Sequence, residues 1–241
     1  TINQNAFNGC SGLTSVQFPT TLSSIGYGAF SNCSGLTTVK IPVYTSVSYS
    51  AFTNCKGLLN AVIQYGYNSG NIFTGCDQLK TITIPTGVSS IPNNAFYNCN
   101  TLDTINIPSS VRTIGQSAFY GCSKLKSVLL LKLIQTIPNQ CFYMCSSLSA
   151  VSIPFAVKTI GSNAFDGCSG LGSITVENSY PISLLNSLSV FNNVNKTSCS
   201  LYVPYLTKQR YAGANQWNEF TTIVENPNGV FISSDKVELA P

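Results

Sequence analysis

The chain has 241 residues, of which 44% are hydrophobic and only 8% are charged. This composition excludes an intrinsically disordered chain, because such chains combine low hydrophobicity with high charge. Twelve basic and eight acidic side chains give a net charge of +4, without the clustered basic footprint of a nucleic-acid-binding protein. The longest apolar run, residues 128–131, is far shorter than the roughly 20 residues of a membrane span. The sequence therefore predicts no nucleic-acid partner and no transmembrane segment in this chain.

The chain begins inside a repeating pattern, since Asn5, Ala6 and Phe7 already match the unit that recurs further on. A solenoid built from such units needs an end cap that shields its first unit from water. We therefore expect a targeting segment and earlier repeats to be missing from this chain.

A cysteine recurs eight times at intervals of 21 to 23 residues. Each is followed three residues later by leucine, and six and eight residues later by apolar, mostly β-branched side chains. Apolar positions two apart indicate a strand with one buried face. A fixed period in this range indicates stacked repeats that bury their apolar faces against one another. The eight cysteines are Cys10, Cys33, Cys55, Cys76, Cys99, Cys122, Cys145 and Cys168.

The second half of each unit contains an Ala-Phe pair or its equivalent, and we predict that the phenylalanines point inward and stack. Asn or Ser precedes this pair in six of eight units, which predicts the N-cap of a single helical turn. Gly or Asn precedes the cysteine in seven of eight units, which predicts a left-handed residue at the end of that turn. The phenylalanines are Phe7, Phe30, Phe52, Phe73, Phe96, Phe119, Phe142 and Phe165.

The regular spacing ends after Cys168, and Phe191 follows Phe165 by 26 residues. A strand at 201–204, a helix-like segment at 208–217 and a strand at 222–224 then predict a C-terminal cap. The predicted organisation is a repeat domain over 1–225, with repeats in 1–176 and an irregular repeat and cap in 177–225. Residues 226–241 are predicted to be a linker or the start of a further segment.

Units such as Ala118–Val128 and the ending Leu201–Pro204, with Trp217 and Ile223–Glu225, resemble the BspA-type (treponemal-type) leucine-rich repeat. The resemblance implies an α/β fold. It would be a right-handed leucine-rich-repeat solenoid with a parallel β-sheet on one face, short helical turns on the other and a C-terminal cap. It also implies an extracellular or cell-surface bacterial protein that acts in adhesion by binding host matrix proteins, such as fibronectin or fibrinogen, or other bacteria. No short motif defines that activity, so the resemblance transfers no functional residue.

Ten cysteines would allow five disulfides, but their periodicity favours a different interpretation. A residue that recurs at one position of a repeat fills space there, and free cysteine behaves as a small buried hydrophobe. We expect the eight periodic thiols to be reduced and inert, with disulfides between neighbouring repeats as the alternative. Cys141 replaces the alanine of its unit and is expected to be buried, and Cys199 receives no assignment.

Catalytic and metal-binding constellations are weak in this sequence. Histidine, the commonest general base and metal ligand, does not occur. The eight acidic residues are not paired closely along the chain, and no serine lies in a nucleophile-elbow context. We therefore predict a protein without enzymatic activity and without a cofactor.

We expect binding residues on the exposed side of the predicted strands and where the repeat is irregular. Thr81 and Thr104 belong to a polar row five residues after the cysteines, although threonine also simply suits a half-exposed strand. The short unit after Cys55 carries Val62, Tyr65 and Tyr67, and tyrosines on such an irregular segment are plausible contact anchors. The equally weighted alternative is a tolerated deletion that the aromatic side chains repack. Leu129 occupies a predicted surface position of its strand, and exposed apolar residues can mark interfaces.

Three tyrosines directly follow the phenylalanine in consecutive units and are expected to stack along one edge, chiefly as packing: Tyr97, Tyr120 and Tyr143.

Three functions remain open on the sequence. The first is a protein-binding adhesion module, the second a carbohydrate-binding module suggested by the hydroxyl-rich row and the tyrosines near 65–67. The third is a structural spacer of a larger surface protein.

Overall fold

The computed structural model of the chain describes residues 1–42, 44–63, 71–184 and 186–226. Within these ranges, nine parallel strands form one sheet, here called the main sheet, with neighbours taken from successive repeats. Apolar side chains two apart point into the core from each strand, as the period of two predicted. In chain order the strands are β2 (Thr38–Lys40), β4 (Asn60–Val62), β5 (Thr81–Thr83), β7 (Thr104–Asn106), β9 (Ser127–Val128), β11 (Ala150–Ile153), β13 (Ser173–Val176), β14 (Ser200–Pro204) and β15 (Thr222–Asn226).

A second set of strands, each two residues long, was not foreseen from the sequence. These strands pair in parallel with their counterparts in a neighbouring repeat, as β1 with β3, β6 with β8 and β10 with β12. A Ser or Thr hydroxyl at the first position faces solvent, and an Ile or Val at the second position is buried. The strands are β1 (Ser24–Ile25), β3 (Ser46–Val47), β6 (Ser90–Ile91), β8 (Thr113–Ile114), β10 (Thr136–Ile137) and β12 (Thr159–Ile160).

The core contains a column of stacked phenylalanines, with ring contacts between successive repeats from Phe7 to Phe73 and from Phe96 to Phe191. Phe119 is fully buried, and its ring centroid lies 5.2 Å from those of both Phe96 and Phe142. The column continues through the irregular repeat, because Phe165 stacks on Phe191 at 5.7 Å. The predicted inward stacking of the phenylalanines is therefore confirmed.

The third side of each repeat consists of hydrogen-bonded turns instead of a helix. The amide of Cys99 donates to the carbonyl of Phe96 at 3.1 Å, which closes a turn within the repeat. The amide of Phe96 donates to the carbonyl of Ala118 at 2.8 Å, which joins this turn to the next repeat. Hydrogen bonds between repeats therefore support the turn side as well as the sheets.

The prediction of helix N-caps before the Ala-Phe pairs is wrong. An N-cap residue has extended backbone, whereas these residues have φ between +55° and +59°. The turn needs a left-handed residue here, and Asn and Gly tolerate that conformation better than other residues do. The residues are Asn5, Gly28, Ser50, Asn71, Asn94, Ser117, Gln140 and Asn163.

The predicted left-handed residue before each cysteine is confirmed, with φ between +55° and +78°. Each repeat therefore contains two left-handed positions four residues apart. Met144 occupies this position in its unit with φ of +60°, although such a conformation is costly for a side chain of this size. The full set is Gly9, Asn32, Asn54, Gly75, Asn98, Gly121, Met144 and Gly167.

All ten cysteines are free, and all except Cys10 are buried. The thiol of each inner periodic cysteine points to a backbone carbonyl of the preceding repeat, as from Cys122 Sγ to Phe96 O at 3.1 Å. Cys141 is fully buried in the alanine position, as predicted, and Cys199 is also fully buried. The periodic cysteines therefore place small, weakly polar side chains beside backbone carbonyls of the preceding repeat.

Burial of these thiols predicts that the protein loses stability in alkaline solution. Burial raises the pKa of the Cys99 thiol from its ordinary 9.0 to about 12, and it also raises the pKa of Cys122 and Cys168. Above pH 9 the unfolded chain releases these protons while the folded chain retains them, so alkali favours unfolding. We expect urea denaturation to show constant stability up to about pH 8. Between about pH 9 and 12 the Cys99 thiol alone should remove about 1.4 kcal/mol per pH unit, and the other buried thiols with raised pKa values add to this loss.

A Cys99→Ala variant is the control for this pH dependence. Its free energy of unfolding should fall less steeply as the pH rises, because one buried thiol is absent. Stability that stays constant up to about pH 11 would contradict the raised thiol pKa values.

The C-terminal segment packs against Phe191, the last phenylalanine of the column. It contains α1 (Lys208–Ala212), a 3-10 helix (Trp217–Glu219) and β15. The Trp217 ring lies 5.0 Å from that of Phe191, and its Nε1 donates to the carbonyl of Ile182 at 2.9 Å. The helix is shorter than the predicted segment 208–217, and both Tyr211 and Trp217 are buried.

Candidate functional site

The exposed face of the main sheet is the candidate functional site. Two side chains from most strands point to this face, at the alternate positions that do not enter the core. Strands in such a sheet lie about 4.8 Å apart, so neighbouring outward side chains are in reach of one another. In chain order the pairs are Thr38 and Lys40, Asn60 and Val62, Thr81 and Thr83, Thr104 and Asn106, Ser127 and Leu129, Ala150 and Ser152, Ser173 and Thr175, Ser200 and Tyr202, and Thr222 and Val224.

Four of the six predicted binding residues lie together on this face. Thr81 pairs in register with Thr104, and Thr104 pairs with Ser127, two residues before Leu129. On the other side, Val62 pairs with Thr83, so the four residues span four successive repeats. The two remaining residues, Tyr65 and Tyr67, lie outside the residues that the structure describes.

Hydroxyl and amide groups dominate the middle of the face. Thr81 and Thr104 are exposed, and the Thr81 hydroxyl donates to the Asn60 side-chain carbonyl. Both side chains in this contact retain polar atoms that can bond a ligand. This part of the face therefore offers donors and acceptors held on a rigid sheet.

Apolar side chains lie among these polar groups. Leu129 is 55% exposed, and Val224 is 37% exposed on the last strand. Tyr202 also points to this face, in register with Thr175, and sequence reasoning missed it because the strand was considered only as part of the cap. The signal was available, since Tyr202 stands two residues after Ser200 just as Thr175 stands two residues after Ser173.

The face carries almost no charge. Lys40 is the only charged side chain among the outward positions given above. The nearest ion pair joins Lys126 Nζ to Asp103 Oδ1 at 2.9 Å, and both residues precede their strands at the margin of the face. Because this pair is largely exposed, its contribution to stability is small.

The predicted tyrosine stack is confirmed. It lies on the turn side of the repeats and not on the exposed face of the main sheet. The ring centroids of Tyr97 and Tyr120 are 4.6 Å apart, and those of Tyr120 and Tyr143 are 4.7 Å apart. All three side chains are half-buried. Burial and the neighbouring phenols raise the pKa of Tyr120, consistent with mutual packing.

In the part of the chain that the structure describes, no three cysteine or carboxylate side chains come together as a metal site would require. The described helices are also too short to cross a membrane.

Two solved structures resemble this fold. A leucine-rich repeat protein from Bacteroides ovatus has a TM-score of 0.58 and 23% identity, over 83% of this chain and 62% of that one. A leucine-rich cell surface protein from Faecalibacterium prausnitzii has a TM-score of 0.55 and 27% identity, over 91% of this chain and 65% of that one. The chain thus spans less than two thirds of the length of either protein.

A search of the curated proteins gives no match. The family model described as "BspA type Leucine rich repeat region" matches in six copies, over residues 1–71 and 67–198. The matched residues cover most of the chain and include the strands of the main sheet from β2 to β13. The chain therefore belongs to the BspA-type leucine-rich-repeat family.

Proposed function

We propose that the chain is a non-enzymatic module of a bacterial cell-surface or secreted protein, and that it binds a protein partner in adhesion. The observation that carries this proposal is the exposed face of the main sheet, which is broad and uncharged apart from Lys40. The cores of protein interfaces are likewise depleted of charge and enriched in aromatic residues, of which Tyr202 is the example here. A partner could therefore cover this face without desolvating many charged side chains.

The family and the relatives support the same proposal. Leucine-rich repeat proteins are generally protein-interaction modules. The protein from Faecalibacterium prausnitzii is described as a cell surface protein, which favours a surface or extracellular location for this chain as well. The partner class that fits the proposal is a matrix protein of the host, such as fibronectin or fibrinogen.

The architecture belongs to the proposal in three further respects. We infer a right-handed solenoid, because about 98% of parallel strand connections within one sheet are right-handed. We assign residues 177–225 as an irregular repeat and the C-terminal cap, because Trp217 packs on Phe191 of that repeat and Tyr211 packs on Trp217. Residues 226–241 retain their assignment as a linker or the start of a further segment.

A Thr104→Lys variant tests the proposed face. The new ammonium group would stand in the middle of the uncharged area, where a partner would have to desolvate it. We expect its affinity for immobilised fibronectin or fibrinogen, measured by biolayer interferometry, to fall by about tenfold or more. A Leu129→Ser variant should also weaken binding, through loss of an exposed apolar contact.

Thr159→Lys is the matched control, because Thr159 is an exposed threonine in β12, on the second set of strands. It makes the same chemical change away from the face and should leave the affinity unchanged. Equal losses in both lysine variants would overturn the proposed face. Binding of glycans alone on an array would favour the carbohydrate-binding alternative, and binding of neither class would favour the spacer.

A further inference from the structure

A ridge of exposed aromatic rings lies where the strands of the main sheet end and the chain turns toward the second set of strands. Phe155, Tyr180 and Tyr205 are 60%, 71% and 58% exposed. They belong to successive repeats, since the Asn178 side chain donates to the carbonyl of Phe155 at 3.1 Å and β13 pairs with β14. Three large exposed rings in successive repeats are an apolar feature of the kind that marks a binding site.

Cationic side chains accompany the ridge. The Arg210 guanidinium lies 4.2 Å from the centroid of the Tyr180 ring and also donates to the carbonyl of Ser179 at 2.9 Å. Lys208 in the same helix is exposed, and so is Lys158, three residues after Phe155. None of these three cations forms an ion pair within the described ranges.

Two carboxylates lie near the ridge, but backbone amides occupy them. Glu177 Oε2 accepts from the amide of Phe155 at 3.2 Å, and Glu225 Oε1 accepts from the amide of Lys208 at 2.9 Å. Both side chains are half-buried, whereas the cations are exposed. The accessible charge along the ridge is therefore positive.

An open groove of about 450 Å³ extends the ridge over the preceding repeats. Ala156, next to Phe155, lines one end, and the exposed Lys132 and Arg112 line the rest. The hydroxyls of Thr113 and Thr136 also open into the groove, together with the Gln135 side chain and the edges of Leu133 and Ile114. Lys158 lies in the next repeat along, because its amide donates to the carbonyl of Gln135 at 2.8 Å.

We propose that this ridge and groove, here called the basic–aromatic rim, bind a linear acidic polysaccharide. The non-polar face of a sugar ring stacks on an aromatic ring, and the acidic groups of the sugars pair with Arg and Lys through charge-assisted hydrogen bonds. The threonine hydroxyls and the glutamine amide match sugar hydroxyls. This combination favours a saccharide over an acidic peptide, because the exposed rings offer stacking surfaces for sugar faces in addition to the cations that either ligand would use. The rim is distinct from the protein-binding face proposed above, both in place and in ligand class.

The experiment uses a heparin decasaccharide as the probe, with isothermal titration calorimetry at low and physiological salt. Removing three rim cations in an R112S/K132S/K158S variant should weaken binding by about tenfold or more. Removing two rings in an F155S/Y205S variant should weaken it by about fivefold. All five side chains are exposed, so thermal melts should show folded variants, and single substitutions replace any variant that is not folded.

The matched control is K56S/K80S/K124S, which removes three exposed lysines that lie away from the rim. It makes the same change in net charge and should retain the affinity of the unmodified chain. A loss equal to that of R112S/K132S/K158S would overturn the proposal, because binding would then depend on total charge alone.

Poly-L-glutamate and dextran complete the test. We expect weaker binding of the acidic peptide and none of the neutral polysaccharide. Poly-L-glutamate binding as tight as that of the decasaccharide, and insensitive to F155S/Y205S, would show a general anion site and would overturn the assignment to a polysaccharide. A Leu129→Ser variant should bind the decasaccharide normally, which separates this site from the face of the main sheet.

Discussion

Replacing Phe119 with alanine is expected to lower the free energy of unfolding by about 4 kcal/mol, the usual cost of removing a buried aromatic ring. The ring is fully buried and stacked between Phe96 and Phe142 with both centroids at 5.2 Å. Its loss would leave a cavity in the middle of the column, and the neighbours cannot close it because their backbones are held by the sheets. Urea denaturation at neutral pH measures the effect.

Phe7→Ala is the matched control, because Phe7 occupies the same position in its repeat but is 42% exposed and stacks on Phe30 alone among the described phenylalanines of the column. Its cost should be about 1 to 2 kcal/mol, since only part of the apolar area is buried. Similar costs at both positions would contradict the idea that the column is a packed core.

Replacing Gly115 with alanine is expected to destabilise the protein by about 3 kcal/mol through overpacking. A methyl group at this position would overlap the backbone between Pro92 and Asn93 in the preceding repeat. The same close approach allows the Gly115 amide to donate to the carbonyl of Ile91 at 2.8 Å and the Gln116 amide to donate to Asn93 Oδ1 at 2.8 Å. The repeats would have to separate to admit the methyl group, and differential scanning calorimetry should show a melting temperature lower by about 6 to 12 °C.

Gly172→Ala is the control for that substitution. Its methyl group would meet only the carbonyl oxygen of Ser149, at 3.8 Å, which is an ordinary contact. Because alanine restricts the unfolded chain more than glycine does, the variant should be neutral or more stable by a few tenths of a kcal/mol, up to about 1 kcal/mol. A large loss at Gly172 would show that the repeats tolerate no added side chain anywhere.

The repeat pattern was enough to predict the main sheet, the inward phenylalanines and the left-handed residue before each cysteine. It could not identify Asn94 and its counterparts as left-handed, because Asn and Ser are favoured both at helix N-caps and in tight turns. The second set of strands was missed because two residues such as Thr113–Ile114 are too short to show a period. The need for glycine at 115 arises from contact with Pro92 in another repeat, which no local pattern reveals.

The candidate site was predictable in position but not in specificity. Strand alternation correctly directed Thr81, Thr104 and Leu129 to the exposed face of the main sheet, and Val62, selected because its unit is irregular, lies there too. The side chains of this face are also those that any half-exposed strand would carry, so the sequence gives no information on the partner. The basic–aromatic rim was not predicted, because Phe155, Tyr180 and Tyr205 follow strands in three repeats whose turns differ in length.

The hydrogen bonds between repeats also determine how the chain responds to force. Those in the sheets and those between turns join each repeat to the next, as from Phe119 N to Cys141 O at 2.9 Å, so they run along the axis of the stack. A force applied to the two ends would break these hydrogen bonds one repeat at a time. Each repeat that opens would release about 75 Å of extended chain. A chain held at both ends would thus lengthen in steps under load and could shorten again when the load falls.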